Sequence, residues 1–120
     1  MAAKAELSEV VNLIRKNIGS QESFTLLPKN KFSKESLQIL QQEGFLHKKG
    51  TDIYATTALL NHIEALNKYI QAKTKDLENL AKSFIPVVAG RVFVSTKKGI
   101  LEHETALRKN IGGAIFMFCY

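Results

Sequence analysis

Ser95-Thr96-Lys97-Lys98-Gly99 is the segment whose residue types are best suited to contact a ligand. Two adjacent hydroxyls can donate to and accept from phosphate oxygens, ribose hydroxyls and base edges, while two lysines supply positive charge. Gly99 permits close approach or a positive φ. A plain turn between a strand and a helix has a similar composition, so the segment by itself leaves both interpretations open.

A second candidate segment is the Gly112-Gly113 pair, which follows Arg108 and Lys109. A turn without side chains can lie against a nucleic-acid backbone or a base without steric obstruction. The same pair can serve simply as a turn that needs permissive dihedral angles. Two basic residues nearby favour the binding interpretation modestly.

Residues that could support catalysis are scattered along the chain. The three histidines lie far apart in sequence, and neither His62 nor His103 forms a metal-ligand spacing with its neighbouring glutamates. There is no Gly-x-Ser-x-Gly or Walker motif, and the single Cys119 stands next to the C-terminus. We therefore expect no enzymatic activity, no metal and no cofactor.

Charge is the first functional clue from composition. The 120 residues include 17 Lys+Arg and 11 Asp+Glu, a formal net charge of +6. A basic chain of this kind favours a polyanionic partner such as nucleic acid. No apolar run reaches the roughly 18 residues of a membrane span, and the mixed charges of the N-terminal helix argue against a signal or transit peptide.

The N-terminal part of the sequence predicts helices separated by a short strand. Apolar residues from Leu7 to Ile18 recur at spacings of three and four, which predicts an amphipathic helix. Arg15 and Asn17 project from its last turn, where a cation is favoured and free to meet phosphate, or is merely an end-of-helix charge. Ser23 to Leu27 reads as a strand, and Ser33 is the expected N-cap of a second helix.

The middle of the chain supports two competing patterns. Apolar residues follow helical steps of three and four at Leu59, Ile63, Leu66, Ile70, Leu77, Leu80 and Phe84. By contrast, Asp52 to Thr57 is rich in β-branched and aromatic residues, and Tyr69 to Thr74 alternates loosely like an exposed strand. We expect a strand first and then mostly helix.

The C-terminal part predicts a strand at Arg91 to Val94, a loop, a helix at Glu102 to Lys109 and an apolar strand at Ala114 to Tyr120 that is buried on both faces. The predicted fold class is α+β. An N-terminal α-β-α half with short strands spans residues 1–57, and a variable, mostly helical middle spans 58–90. A small mixed or antiparallel sheet with short helices spans 91–120.

Taken together, these C-terminal motifs resemble the family of small-subunit ribosomal protein eight. The resemblance rests on the string from Gly90 to Ile100, on His103-Glu104 and Ala106, and on Gly112-Gly113 followed by an apolar strand. Upstream, the first helix and the region from Phe24 to Leu46 also look like that family. The similarity covers about two thirds of the chain.

This resemblance implies a structural protein that assembles early and holds a helical junction in the central domain of small-subunit ribosomal RNA. On that analogy the residues from 91 to 120 form the RNA-contacting part, and Lys29 and Lys31 form a second anchor. The resulting set of RNA-binding candidates is Ser95, Thr96, Lys97, Lys98, Gly99, Arg108, Lys109, Gly112, Gly113, Lys29, Lys31, Arg15 and Asn17. Expected partners are this RNA and neighbouring small-subunit proteins, with no membrane and no homo-oligomer.

The chain departs from the family pattern in ways that affect the expected site. The family usually has Ser at the position of Lys97 and an acidic residue at that of Ala114. Its Ser-Lys-Pro-Gly turn is missing, with Asn67-Lys68 as a possible remnant, so an RNA-facing hairpin is expected to be absent or rebuilt as helix. Such remodelling favours an organellar, mitochondrial ribosome over a cytoplasmic one.

Two alternative functions are compatible with parts of the sequence. Ser33 to Gly50 followed by Ile53 to Thr56 can be read as the recognition helix and wing of a winged-helix DNA-binding module, which would dimerise through the heptad-like middle. The same apolar stripe from Leu59 to Phe84 can instead dock a partner helix in a protein-interaction scaffold. A DNA-binding dimer would prefer duplex DNA, and a scaffold would show no salt-dependent retention of RNA.

Overall fold

The computed structural model describes residues 2–20, 22–85 and 90–120, and the chain divides into two compact units, residues 1–63 and 64–120. We call these the N-terminal and the C-terminal unit. The described residues confirm the α+β class, and none of their helices is long and apolar enough to cross a bilayer. Their elements are α1 (Ala2–Lys16), β1 (Phe24–Thr25), α2 (Lys31–Gln42), β2 (Leu46–Gly50), β3 (Ile53–Thr56), β4 (Ile63–Ala72), α3 (Thr74–Phe84), β5 (Arg91–Thr96), β6 (Gly99–Glu102), α4 (His103–Arg108) and β7 (Gly113–Cys119).

The N-terminal unit packs helices α1 and α2 together and carries a three-stranded antiparallel sheet in the order β1-β3-β2. The amphipathic face predicted for α1 is confirmed, since Leu7, Val11 and Ile14 are buried. Leu37 and Leu40 supply the corresponding buried residues of α2. Burial of these apolar faces holds the unit together.

The loop before α2 is fixed by a carboxylate of α1. Both oxygens of Glu6 accept from the backbone N–H of Lys29, at 3.0 and 3.1 Å, and Oε1 also accepts from that of Asn30 at 3.0 Å. The N-cap of α2 is Asn30, whose side chain accepts from the backbone N–H of Ser33 at 2.8 Å. The prediction of Ser33 as the N-cap is wrong, because Asn30 satisfies this backbone donor three residues earlier.

The C-terminal unit is built on a four-stranded sheet in the order β4-β7-β5-β6. Strand β5 pairs antiparallel with both β6 and β7. A core of buried residues forms between this sheet and its helices, namely Ala72, Leu77, Ala81, Val92, Val94, Ala106, Ile115 and Phe118. The predicted helix at 102–109 and the predicted closing strand are both confirmed.

The pairing of β7 with β5 contains an irregularity. The register shifts between Phe93↔Met117 and Val94↔Ile115, which leaves Phe116 as an extra residue. A bulge of this kind reverses the alternation of side chains beyond it. Ile115 and Phe118 therefore both join the core under the helices, while every residue from Ile115 to Cys119 is buried.

The expectation of a mostly helical middle is wrong for Ile63–Ala72, which is strand β4. Leu66 and Ile70 pack against the core of the C-terminal unit, and Ala72 belongs to it. Residues two or four positions apart share one face of a strand, whereas steps of four also fit one face of a helix. The apolar spacing in this segment was therefore ambiguous, and pairing with β7 decides in favour of the strand.

Two further strands were missed because their sequences are polar or glycine-containing. Gly99–Glu102, the end of the expected loop and the start of the expected helix, forms β6 and pairs with β5. Leu46–Gly50 forms β2 despite three consecutive exposed residues, His47, Lys48 and Lys49. Asn67 and Lys68 are exposed within the continuous strand β4, so the expectation that this stretch is rebuilt as helix is wrong.

The Glu6 contacts predict a stability difference that depends on pH. Hydrogen bonds from the backbone N–H groups of Asn30 and Lys29 hold the pKa of Glu6 below its ordinary value of 4.5. A depressed carboxyl pKa stabilises the fold above the unfolded value, and this contribution is lost as the pH falls through the folded value. Glu6→Gln should therefore lower the Tm at about pH 7, and the difference should disappear once the pH is far enough below the ordinary value of 4.5 for Glu6 to be protonated in the folded chain.

The matched control for this experiment is Glu9→Gln on the same helix. Glu9 is exposed and has no hydrogen-bond or ion-pair partner among the residues that the structure describes. Its Tm should match that of the parent chain at both pH values. Equal losses for the two variants in thermal unfolding followed by circular dichroism would contradict the role of Glu6.

Candidate nucleic-acid interface

The Ser95-Thr96-Lys97-Lys98-Gly99 segment forms the tip of the β5–β6 hairpin. Thr96 pairs with Gly99, so Lys97 and Lys98 make the two-residue connection. Gly99 has a φ of +101°, a conformation that residues with a side chain rarely adopt. The glycine is thus required by the turn, and both lysine side chains are exposed.

The hydroxyls of Thr96 and Ser95 have different surroundings. Oγ1 of Thr96 donates to the carbonyl of Gly99 at 2.7 Å and accepts from the backbone N–H of Lys98 at 3.1 Å. The Ser95 hydroxyl is half-buried and has no hydrogen-bond partner among the described residues. Thr96 therefore stabilises the turn, whereas Ser95 keeps its full capacity to bind a ligand.

The two glycines of the second turn allow backbone to approach backbone. A Cβ built on Gly113 would overlap the carbonyl oxygen of Ser95, and one built on Gly112 would lie 2.6 Å from the carbonyl oxygen of Ala72. Pairing of Ser95 with Ala114 holds the strands at this separation. Any side chain at either glycine would force the end of β5 or of β4 away from β7.

These contacts bring the two turns onto one surface. They line a groove of about 670 Å³, which we call the C-terminal groove. Its walls are residues 71–74 at the junction of β4 and α3, residues 95–97 at the end of β5, and the glycine pair. The groove is thus formed by three segments that are far apart in sequence and lie in one unit.

The charge of the C-terminal groove is positive. Lys73 and Lys97 are the ionisable residues among those that line it, and no described carboxylate does so. Both lysines are exposed and have no ion-pair partner among the described residues. The start of α3 lies in the same wall, and a helix N-terminus also favours negative charge. The groove can therefore attract an anion.

Helix α4 is held against β5 by Glu102 and His103. The carboxylate of Glu102 caps the helix by accepting from the backbone N–H of Glu104 at 2.7 Å and of Thr105 at 3.3 Å. Nδ1 of the buried His103 accepts from the backbone N–H of Val92 at 3.1 Å. These contacts fix the chain that leads from β6 through α4 into the glycine pair.

The same residues form a group of potential metal ligands that the sequence spacing did not reveal. Ligand atoms of Glu102, His103 and Glu104 lie within 4.8 Å of one another. However, Nδ1 of His103 already accepts from Val92, and Oε1 of Glu102, 3.2 Å from that nitrogen, already accepts from the helix backbone. The cluster is explained by helix capping and by packing of α4.

Four other C-terminal candidates lie outside the lining of the groove. Lys98 and Gly99 follow its wall along the hairpin, and Arg108 and Lys109 are exposed at the end of α4. The guanidinium of Arg108 donates to Oγ1 of Thr105 at 3.1 Å. Their charges contribute to the potential of this unit, and their role in binding stays a prediction.

The four remaining candidates belong to the N-terminal unit, and the structure distinguishes between them. Arg15 donates from Nε and Nη2 to the carbonyl of Ile63 at 3.0 and 2.8 Å, and Asn17 donates to the carbonyl of Leu13 at 2.8 Å. Lys29 and Lys31 are exposed, although Lys31 lies 3.7 Å from Glu35 in a solvent-exposed pair. Arg15 and Asn17 thus have structural contacts that the sequence did not indicate.

One wall of the groove, at the junction of β4 and α3, was not predicted from the sequence. Gln71, Lys73 and Thr74 line it together with the predicted segments. Lys73 occupies the one position where the apolar steps from Leu59 to Phe84 are interrupted. A signal was available in the alternation of Tyr69 to Thr74, which a strand explains and a helix does not.

Comparison with known proteins agrees with this architecture. The family model described as Ribosomal protein S8 matches residues 5–120, so the chain belongs to the ribosomal protein S8 family. The small ribosomal subunit protein uS8 of Eremothecium gossypii is 26% identical, with both chains fully covered. The protein uS8B of Saccharomyces cerevisiae is also 26% identical over both full chains, and uS8my of Arabidopsis thaliana is 27% identical over 95% of this chain and 93% of its own.

The close approach at Gly113 predicts that even one methyl group disrupts the groove. Gly113→Ala should destabilise the chain by about 2 kcal/mol or more, because the new Cβ overlaps backbone that cannot move independently. Chemical denaturation followed by circular dichroism measures the loss. Gly50→Ala is the control, since its Cβ would meet Ile53 at an ordinary 3.7 Å. Equal stability of the two variants would refute the constraint.

Proposed function

We propose that this chain is a structural, non-catalytic protein of the small ribosomal subunit, and that its C-terminal groove binds small-subunit ribosomal RNA. Membership of the ribosomal protein S8 family supports the ribosomal role. The observation that carries the RNA site is the convergence of an unpartnered hydroxyl, two lysines and two glycines in one groove. Neighbouring small-subunit proteins are its expected further partners.

The chemistry of the groove suits folded RNA better than a regular duplex. The major groove of A-form RNA is too narrow for side chains to read, so proteins recognise RNA through its shallow minor groove, 2′-hydroxyls and distorted or unpaired segments. The Ser95 hydroxyl can both donate to and accept from a ribose or a base edge. The glycine pair permits the RNA to approach the backbone closely. A helical junction in the central domain of the RNA offers such a shape.

The lysines are expected to contribute affinity rather than specificity. Lys97 and Lys73 can neutralise phosphates on either side of the groove, with Lys98, Lys109 and Arg108 adding to the surrounding positive charge. Phosphate contacts position an RNA, whereas contacts with bases and riboses distinguish one RNA from another. In the N-terminal unit, Lys29 and Lys31 remain candidates for a second anchor.

The alternative functions require features that the described residues do not support. Dimerisation of a winged-helix module, and docking of a partner helix on a scaffold, both relied on a continuous helical stripe from Leu59 to Phe84. That stretch is divided between strand β4 and helix α3. Family membership covers residues 5–120 and therefore accounts for both units.

The subcellular compartment of the ribosome is the subject of a separate proposal. Relatives of the chain include fungal proteins named uS8 and the Arabidopsis protein uS8my, so similarity by itself leaves the compartment open. We infer a mitochondrial ribosome from the loss of the family's middle turn. Cosedimentation of the native chain with mitochondrial small subunits supports this inference, and cosedimentation only with cytoplasmic subunits contradicts it.

The proposed role of Ser95 predicts a loss of specificity. Ser95→Ala should weaken binding to the central-domain junction RNA by about tenfold, the effect of one hydrogen bond, and leave binding to a random duplex nearly unchanged. Filter binding with both RNAs measures the difference. Ser23→Ala, an exposed hydroxyl of the N-terminal unit, is the control. Equal losses of affinity for both RNAs would show that Ser95 does not distinguish the junction from a random duplex.

The proposed role of the groove lysines predicts a change in salt dependence. Lys73→Gln and Lys97→Gln should each reduce the slope of log affinity against log salt by about 0.7–0.9, since each removes one phosphate contact. Lys82→Gln is the control because Lys82 lies 3.3 Å from Glu78 on an exposed face of α3. Slopes identical to that of the parent chain would show that the two lysines do not contact phosphate.

A further inference from the structure

The N-terminal unit contains a second basic cleft that the proposed groove does not use. The cleft has a volume of about 440 Å³ and lies beside strand β2. His47 and Lys49 supply its polar wall, and Gly19 and Ser20, which follow α1, lie opposite. Strand β2 is at the edge of its sheet, and both side chains are exposed.

The ionisable groups of this cleft are uniformly basic. His47 and Lys49 are exposed, and neither has a hydrogen-bond or ion-pair partner among the described residues. No carboxylate from the described part of the chain lines the cleft. The pairing of β2 with β3 is irregular between Lys48 and Gly50, and His47 and Lys49 both line this cleft. Both side chains can therefore donate hydrogen bonds to a ligand.

A hydroxyl donor completes the arrangement. Oγ of Ser20 accepts from the backbone N–H of Glu22 at 3.1 Å. Its own proton has no acceptor among the residues that the structure describes, so it can donate to a ligand oxygen. By contrast, the hydroxyls of Thr56 and Thr57 donate to backbone carbonyls of Asn17 and Gly44, at 3.2 and 2.6 Å, and so shape the wall.

We propose that His47, Lys49 and Ser20 form a second RNA-backbone contact, which binds phosphate oxygens at the edge of the N-terminal sheet. Among the described residues that line the cleft, the apolar side chains are those of Ala55 and Ala58. Stable protein interfaces depend on large aromatic, aliphatic or arginine anchors set in apolar pockets. A cleft that is lined by small side chains, hydroxyls and basic groups fits a phosphodiester backbone instead. This inference rests on the proposed function, because the phosphates are those of the same ribosomal RNA.

Lys48 provides a matched control on the same strand. It lies between His47 and Lys49 in sequence, and its side chain is on the opposite face, where Nζ is 5.9 Å from the centre of the Tyr54 ring. Removing either lysine changes the net charge of the chain equally. Only loss of Lys49 removes charge from the proposed contact.

The test compares Lys49→Gln with Lys48→Gln in the full chain. The probe is a small-subunit ribosomal RNA transcript that contains the whole central domain, and affinity is measured by filter binding over a salt series. Lys49→Gln should lower the log–log salt slope by about 0.7–0.9, and Lys48→Gln should leave it unchanged. Lys49→Arg should restore the parent slope. Both positions are exposed, so the fold is preserved.

Each other outcome overturns the inference in a distinguishable way. If both glutamine variants keep the parent slope, or both lower it equally, the cleft makes no specific phosphate contact, and the proposed function stands. If Lys49→Gln instead reduces only the capture of purified small-subunit proteins, the surface binds protein and not RNA. If the parent chain shows no salt-dependent RNA binding, the proposed function itself fails and the second contact falls with it.

Discussion

The C-terminal unit depends on the close approach of β7 to the ends of two other segments. At Gly113 the backbone lies against the carbonyl of Ser95, and at Gly112 it lies against that of Ala72. Only glycine allows both contacts, because any Cβ would overlap a backbone atom. The end of β5, the start of α3 and the turn before β7 are thereby held in one groove. The segments of the candidate site can lie this close together because Gly112 and Gly113 have no side chains.

This constraint explains how the surface proposed to bind RNA can be held in shape without a large binding pocket. The hairpin turn is stabilised internally by Thr96 and Gly99, so it does not need RNA to become ordered. Capping of α4 by Glu102 and the contact of His103 with β5 fix the connection into the glycine pair. A preorganised surface of this kind loses little conformational entropy on binding. Ser95 and the two lysines are then presented by backbone that is already in place.

Much of this arrangement was predictable from the residues, and the exceptions have physical causes. The apolar runs of α1 and β7 and the glycine signals identified their elements, because burial dominates there. The Leu66 and Ile70 spacing did not, since a four-residue step fits a helix and a strand equally well. The polar strand β2 was missed because pairing with β3, and not apolar patterning, determines it. Lys73 was not predicted as a groove residue, because the segment before it was expected to be helix and not strand β4.

The most direct test of the central claim is an NMR titration of the isotopically labelled chain with the central-domain junction RNA. If the C-terminal groove binds this RNA, the amide signals of Ser95, Lys97, Gly112, Gly113 and Lys73 should shift together and saturate at the same RNA concentration. Concerted shifts of these signals would show that both turns and Lys73 take part in the same binding event. If the RNA binds while the amides of the two turns remain unperturbed, the C-terminal groove is not the RNA site and the account is contradicted.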